Sequence, residues 1–298
     1  MRLPWTAAIS PADLAGAPVP IPGTVVPLGE SPVWDPRTGR LRWVDLFDGV
    51  RHHTDPDTAD DEVVGTGSSC GFVALTDGGL LHARGSVVVR EGDGGAHDVV
   101  DIDPSGVLRI NDSQVAPGGW LFCGLMGIDR SQREGTGRLV RVDPDGTVTS
   151  VSEGLSIANG MGWSPDGRTM YHVDTMALRV DRLDFDPQTG NASGRRPAFT
   201  TERFGGMPDG LAVDTEGRIW LAHFGTPYVI CTDEDGREIA RVELPVSNVT
   251  SCAFGGDDMS TLFVTTSSRD ATADQPHSGA VFAVPTAARG QQPRYAWS

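Results

Sequence analysis

The sequence predicts an all-β fold, a six-bladed β-propeller with four-stranded blades around a central channel, on three observations. A short apolar strand, a tight turn and a second apolar strand recur six times along the 298 residues. The recurrences are spaced by roughly 40 to 50 residues, the period of a four-stranded blade. Thirty-eight glycines and 21 prolines are interleaved with strand-forming residues throughout, as many tight turns between short strands require.

The six units follow in order. The first carries Ser31-Pro32-Val33-Trp34-Asp35, turns at Asp35-Pro36 and returns as Leu41-Arg42-Trp43-Val44-Asp45. The second carries Gly71-Phe72-Val73-Ala74-Leu75 and turns at Asp77-Gly78. In the third, Asp112-Ser113-Gln114-Val115-Ala116 runs into Pro117-Gly118-Gly119. In the fourth, Gly160-Met161-Gly162-Trp163-Ser164 meets Pro165-Asp166-Gly167, and Thr169-Met170-Tyr171-His172-Val173 returns. Gly210-Leu211-Ala212-Val213-Asp214 turns at Glu216-Gly217, and Ser251-Cys252-Ala253-Phe254-Gly255 turns at Gly256-Asp257. The Asp-Gly and Pro-Asp-Gly turns are hairpin chemistry. Residues 23–298 are expected to form one propeller domain. Residues 1–22, rich in Pro and Ala, form an N-terminal extension that wraps the surface or closes the last blade; Ser10–Leu14 fits one short helical turn. The stretch from Arg269 to His277 reads as a surface loop near the channel mouth.

A repeat allows equivalent positions to be compared. Four residues before Trp34, Ala74, Val115, Trp163, Val213 and Phe254 stand Glu30, Cys70, Asn111, Asn159, Asp209 and Thr250. Equivalent positions ring one mouth of a propeller channel. Four of the six are carboxylates or amides, where a strand interior favours Val, Ile or Thr. Two explanations are open. Each polar residue caps its blade by bonding local backbone, or the four surround a cation that relieves the carboxylates. Oxygen-rich, sulfur-poor donors suit Ca²⁺, Mg²⁺ or Mn²⁺, with Zn²⁺ also compatible. Alternation puts Arg109 on the face of Asn111. That guanidinium either grips a substrate oxygen or pairs with a structural acid such as Asp112 or Asp129.

Other features exclude function classes. A net charge of −16 and the lack of any Lys/Arg stripe argue against nucleic acid. No long apolar run or signal-like N-terminus is seen, so a soluble, cytoplasmic protein without a membrane partner is expected, as monomer or weak homodimer. Four scattered cysteines form no C-x-x-C and suit a reducing compartment. Cys70 occupies a ring position but has no activating neighbour in sequence. There is no H-E-x-x-H, Walker loop or G-x-S-x-G elbow. His52 and His53 belong to an outer strand, and His172 and His223 follow inner strands, where either a channel-facing or a core role is open.

Leu28-Gly29-Glu30-Ser31-Pro32-Val33-Trp34, Arg109-Ile110-Asn111-Asp112, Ala158 through Gly167 and Pro208 through Asp214 together resemble the SMP-30/gluconolactonase/luciferin-regenerating-enzyme family, across about residues 25–285. The resemblance implies a six-bladed propeller with one divalent ion held by Glu30, Asn159 and Asp209. It implies substrate contacts from Arg109 and Asn111, and from Asp129 where some members carry an acidic sugar-binding residue. It implies hydrolysis of a small-molecule lactone, with Asp209 as general base or a water activated on the ion. The alternatives are metal-dependent cleavage of another ester, an organophosphate or a specialised-metabolism intermediate, and a non-catalytic metal-binding propeller. The chain departs from the family pattern after Asp112 and again at Gly124-Leu125-Met126, where Leu replaces a Thr. A more apolar pocket wall is expected if Leu125 faces the site.

Overall fold

The computed structural model describes residues 16–269 and 271–297. Six four-stranded antiparallel sheets carry almost all of the regular structure, and the described residues contain no α-helix. Blade 1 spans 29–65, blade 2 73–101, blade 3 108–155, blade 4 158–200 and blade 5 207–243, each sheet pairing its strands in chain order. Blade 6 takes its three inner strands from 249–285 and its outermost strand from Val19–Pro20, which pairs with Ala283 and Phe282. Part of the expected N-terminal extension thus closes the last blade, covering the edge that Phe282–Pro285 would otherwise expose. Its first fifteen residues, including Ser10–Leu14, lie outside the described residues.

Apolar side chains fill the wedges between blades. Trp43, Trp163 and Trp220 are fully buried, and Phe122 of blade 3 packs edge-on to Trp163 of blade 4 with centroids 5.6 Å apart. The expected turns are held by their own acids. Ser164 Oγ donates to Asp166 at 2.6 Å, and Asp214 accepts from Arg218 Nε at 2.5 Å and Trp220 Nε1 at 2.9 Å. His52 and His53 lie on the third strand of blade 1, Val50–Thr54, with His52 stacked on Trp43 at 3.8 Å.

The inner strands crowd at the axis, where side chains do not fit. A Cβ on Gly160 would stand 2.5 Å from the Asp209 carbonyl oxygen of the next blade, and one on Gly71 would collide with the Ile110 carbonyl. Small residues there let the six strands converge.

The far end of the channel is crossed by the C-terminal segment. Gly290 N donates to Met259 O of blade 6 at 2.8 Å. Gln291 Nε2 donates to Trp163 O of blade 4 at 2.8 Å and to Val213 O of blade 5 at 3.1 Å. Tyr295 lies under the Arg37 guanidinium of blade 1 at 5.0 Å. Ala296 N reaches Leu75 O of blade 2 at 2.7 Å, and Trp297 Nε1 reaches Val142 O of blade 3 at 3.2 Å. One strap therefore touches all six blades and covers a cavity of about 90 Å³ lined by residues such as Trp34, Trp163 and Phe254.

Gln291→Ala leaves two blade carbonyls without their donor. Thermal or urea denaturation should show a loss of about 1–3 kcal/mol; a change below about 0.5 kcal/mol would mean the strap does not staple the blades.

His172, on the second strand of blade 4, is fully buried, and neither ring nitrogen has a hydrogen-bond partner among the described residues. Burial lowers its pKa to about 4. Between the unfolded value near 6.5 and that folded value only the unfolded chain takes the proton, so this contribution is intact above pH ~6.5 and is lost as pH falls toward 4. His172→Phe should flatten the fall in unfolding free energy between pH 7 and 4.5 by up to about 3 kcal/mol. Parallel pH curves for the two proteins would contradict the buried neutral imidazole.

Candidate active site

The expected ring converges by a shared irregularity. In five blades the ladder between the first two strands slips at or beside the ring residue. The slips lie between Glu30 and Val33, Ile110 and Asp112, Ala158 and Met161, Pro208 and Leu211, and Val249 and Ser251. Such bulges release a residue from the ladder and re-aim its side chain. In blade 2 the regular ladder begins only at Val73, after Cys70.

Glu30, Asn111, Asn159 and Asp209 are each at least nine-tenths buried. Asn159 joins two blades: its Nδ2 donates to Asp209 Oδ1 at 2.5 Å and to Thr175 Oγ1 at 3.0 Å. Both amide hydrogens are used, and the Asn159 Oδ1 remains as a free acceptor. Asn111 Nδ2 donates across to Ala158 O at 3.2 Å.

The charges are set against one another. Burial pushes Glu30 well above the usual carboxylate range, and the negative charges of Asp209 and Asp112 add to this while Arg109 opposes it. Burial also raises Asp209, against the Asn159 hydrogen bond. Asp112 is raised to about 7 by burial, with one backbone hydrogen bond from Ser113 N at 2.7 Å. Arg109 is lowered to about 10, by burial first and by the charge of Arg133 second. It pairs with neither Asp112 nor Asp129. Its Nη1 donates to Ile110 O and its Nη2 meets Met126 Sδ, both at 3.1 Å.

Other expected residues stand apart. Asp129 is exposed and spends Oδ1 on Ser131, accepting from its backbone N–H and its hydroxyl at 2.8 Å each. Thr250 Oγ1 donates to Gly29 O at 2.6 Å, a local blade-to-blade bond. Cys70 is buried, and burial pushes its thiol up to about 12, which leaves it inert. His223 is buried beside Phe204 with Nδ1 at 2.9 Å from Gly205 O. Leu125 is fully buried in the apolar core of blades 2 and 3, so its replacement of a Thr does not make the site wall more apolar.

Three residues were not anticipated in their roles. Asp112 alternates away from Asn111 in a flat strand, and the bulge beside it brings it into the field of Glu30 and Asp209. Thr175 lies in the turn after Asp174, with no signal in its local sequence. Arg133 follows the short turn at Arg130–Gln132, and its Nε is fixed on Gly127 O at 3.2 Å.

The donor set is two carboxylates and an amide oxygen, hard and oxygen-only, buried and without a bonded counter-charge. It fits a divalent cation. Among the described residues no three His, Cys, Asp or Glu side chains form a metal cluster, so the amide of Asn159 is what completes a set of three.

Pentonolactonase XacC of Haloferax volcanii is 42% identical over 246 residues, 82% of each chain. Regucalcin of Xenopus laevis is 34% identical, covering 86% of this chain and 90% of its own. The structure of regucalcin from Agrobacterium tumefaciens, described as a calcium-binding protein, superposes with a TM-score of 0.88 at 28% identity over 95% of this chain and 98% of that one. A luciferin-regenerating enzyme superposes with a TM-score of 0.86 at 27% identity over 94% and 99% of the two chains. The sequence model of the SMP-30/gluconolactonase/LRE-like region matches residues 28–268, and the chain belongs to that family.

Proposed function

We propose that this chain is a lactonase that opens a small cyclic ester by water attack, with one divalent ion held by Glu30, Asn159 and Asp209. The observation that carries the reading is the burial of Glu30 and Asp209 in one another's field, with Asn159 bonded to Asp209 and no cation bonded to either carboxylate among the described residues. The named activity of the pentonolactonase relative supports the substrate class. The calcium-binding relative supports a divalent ion. A divalent ion bound there polarises the ester carbonyl and stabilises the negative charge that develops on its oxygen.

The chain's own groups do the rest. Arg109 has N–H groups beyond those given to Ile110 and Met126, and Asn111 keeps its Oδ1 and one amide hydrogen; together they orient the ring oxygens. Asp209 is the first choice to take the proton of the attacking water, at Oδ2, since Oδ1 is engaged by Asn159. Asp112 is the second, because it is half-buried, raised to about 7 and within the same field. Thr175 acts on Asn159: by accepting one amide hydrogen it holds the amide so that oxygen, not nitrogen, is presented to the cation.

The reading is tested by assaying a lactone panel for acid release before and after chelation, with re-addition of single divalent ions. Activity of a preparation shown to be metal-free contradicts it. Glu30→Gln and Asp209→Asn should each weaken metal binding in equilibrium dialysis by more than the ~10- to 100-fold typical of an outer partner. At saturating metal, Asp209→Asn should also lose about 100-fold or more in kcat. An equal residual kcat in both variants, with the larger loss in Asp112→Asn, assigns the proton to Asp112.

Thr175→Val removes the hydroxyl at nearly constant volume. Dialysis should show metal binding weakened by about 10-fold or more, with Thr175→Ser close to the wild type. Unchanged affinity in Thr175→Val would mean that Asp209 alone orients the amide.

A further inference from the structure

Blade 3 supplies one wall of the channel mouth, and that wall carries two guanidiniums with no carboxylate bonded to either among the described residues. Arg109 lies on the innermost strand, Leu108–Val115, in register with Met126 on the second strand, Leu121–Gly127. Arg133 returns to the end of that second strand, where its Nε donates to Gly127 O at 3.2 Å. The two side chains are therefore pinned to adjacent residues of one sheet, and Arg133's charge is felt at Arg109. Among the described residues their bonded partners are neutral: Ile110 O, Met126 Sδ and Gly127 O.

The lack of ion pairs is not for want of acids. The chain has 40 Asp and Glu against 24 Lys and Arg. Several other partly buried arginines find them: Arg42 bonds Asp35 at 3.0 Å, and Arg51 bonds Glu91 at 2.6 Å, though Arg294 bonds only the amide of Gln291 among the described residues. Asp129, close in sequence to Arg133, turns its Oδ1 to Ser131 instead. The Arg109 and Arg133 guanidiniums are half-buried and lack a bonded counter-ion among the described residues, so their unused N–H groups gain by taking one from a ligand. Once a divalent ion has offset Glu30 and Asp209, and with Asp129 set against Arg130 beside Arg133, Asp112 remains against two arginines, so one positive charge stands over the mouth. Elsewhere the protein is strongly acidic, at −16 overall, and repels anions; this wall is where one is attracted.

Guanidinium forks match the oxygens of a carboxylate or a phosphate. We propose that the substrate is an anionic lactone, a ring that bears a carboxylate or phosphate substituent gripped by Arg109 and Arg133 while its ester lies at Glu30, Asn159 and Asp209. This deepens the lactonase reading and rests on it. The anion fixes the ring at blade 3, so that the carbonyl is held at the donors of blades 1, 4 and 5.

The test compares kcat/KM of the metal-loaded enzyme for a neutral lactone (gluconolactone), a carboxylated one (glucarolactone) and a phosphorylated one (phosphogluconolactone). At least one anionic lactone should exceed the neutral one by about 10-fold, and which one does so separates carboxylate from phosphate. In Arg133→Gln the anionic-to-neutral ratio should collapse by about 10- to 100-fold, the worth of a hydrogen bond to a charged group. Arg133→Lys should fall between, since an ammonium keeps the charge but not the fork. A preference for the neutral lactone in the wild type, or a ratio unchanged in Arg133→Gln, would overturn the proposal while leaving lactone hydrolysis in place. A fall in melting temperature of Arg133→Gln with the ratio preserved would make Arg133 a structural residue and overturn it as well. No turnover of any of the three would instead overturn the lactonase reading itself.

Discussion

Glu30 and Asp209 are buried together, and bringing two carboxylates out of water into one another's field opposes folding. The surrounding structure is arranged around that cost. Asn159 is wedged against Asp209 and braced by Thr175, and Arg109 contributes positive charge without closing an ion pair. A propeller can hold such a site because its stability comes from elsewhere, in the apolar wedges between blades and in the two ends of the chain. Val19–Pro20 closes the ring at its edge, and the segment from Gly290 to Trp297 ties all six blades across the base.

The two ends of each inner strand have different work. At one end, ring residues such as Glu30, Asn159 and Asp209 present oxygens. Four residues further on, Trp34, Trp163 and Phe254 present apolar surface to the strap. At about 3.3 Å per residue that is roughly 13 Å of strand. The bulged, polar mouth is thus separated from the packed base, and a change at one end need not propagate to the other.

The blade count, the turns and the ring were legible in the sequence because a repeat turns a single chain into six comparable ones. Glu30, Asn111, Asn159 and Asp209 stood out as oxygen donors where strand formers belong. What was not legible depends on pairing between strands. The slip between Ile110 and Asp112 has no local signature, so the position of Asp112 was read from plain alternation and missed. Leu125 could face the pocket or the core, and packing against blade 2 decided for the core. Asp129 reads as an acid near a site, yet its neighbour Ser131 offers it a capping bond two residues away. The strap has neither period nor turn signal; only contact with six blades reveals it.

The central claim is that a divalent ion joins Glu30, Asn159 and Asp209. The most direct measurement is anomalous diffraction from a crystal of the protein grown with Mn²⁺. The account predicts one strong anomalous peak with oxygens of Glu30, Asn159 and Asp209 as ligands, at roughly the 2.0–2.6 Å of hard-cation coordination. A peak held by other residues, or a channel mouth in which these three side chains bond only to one another and to water, would contradict it.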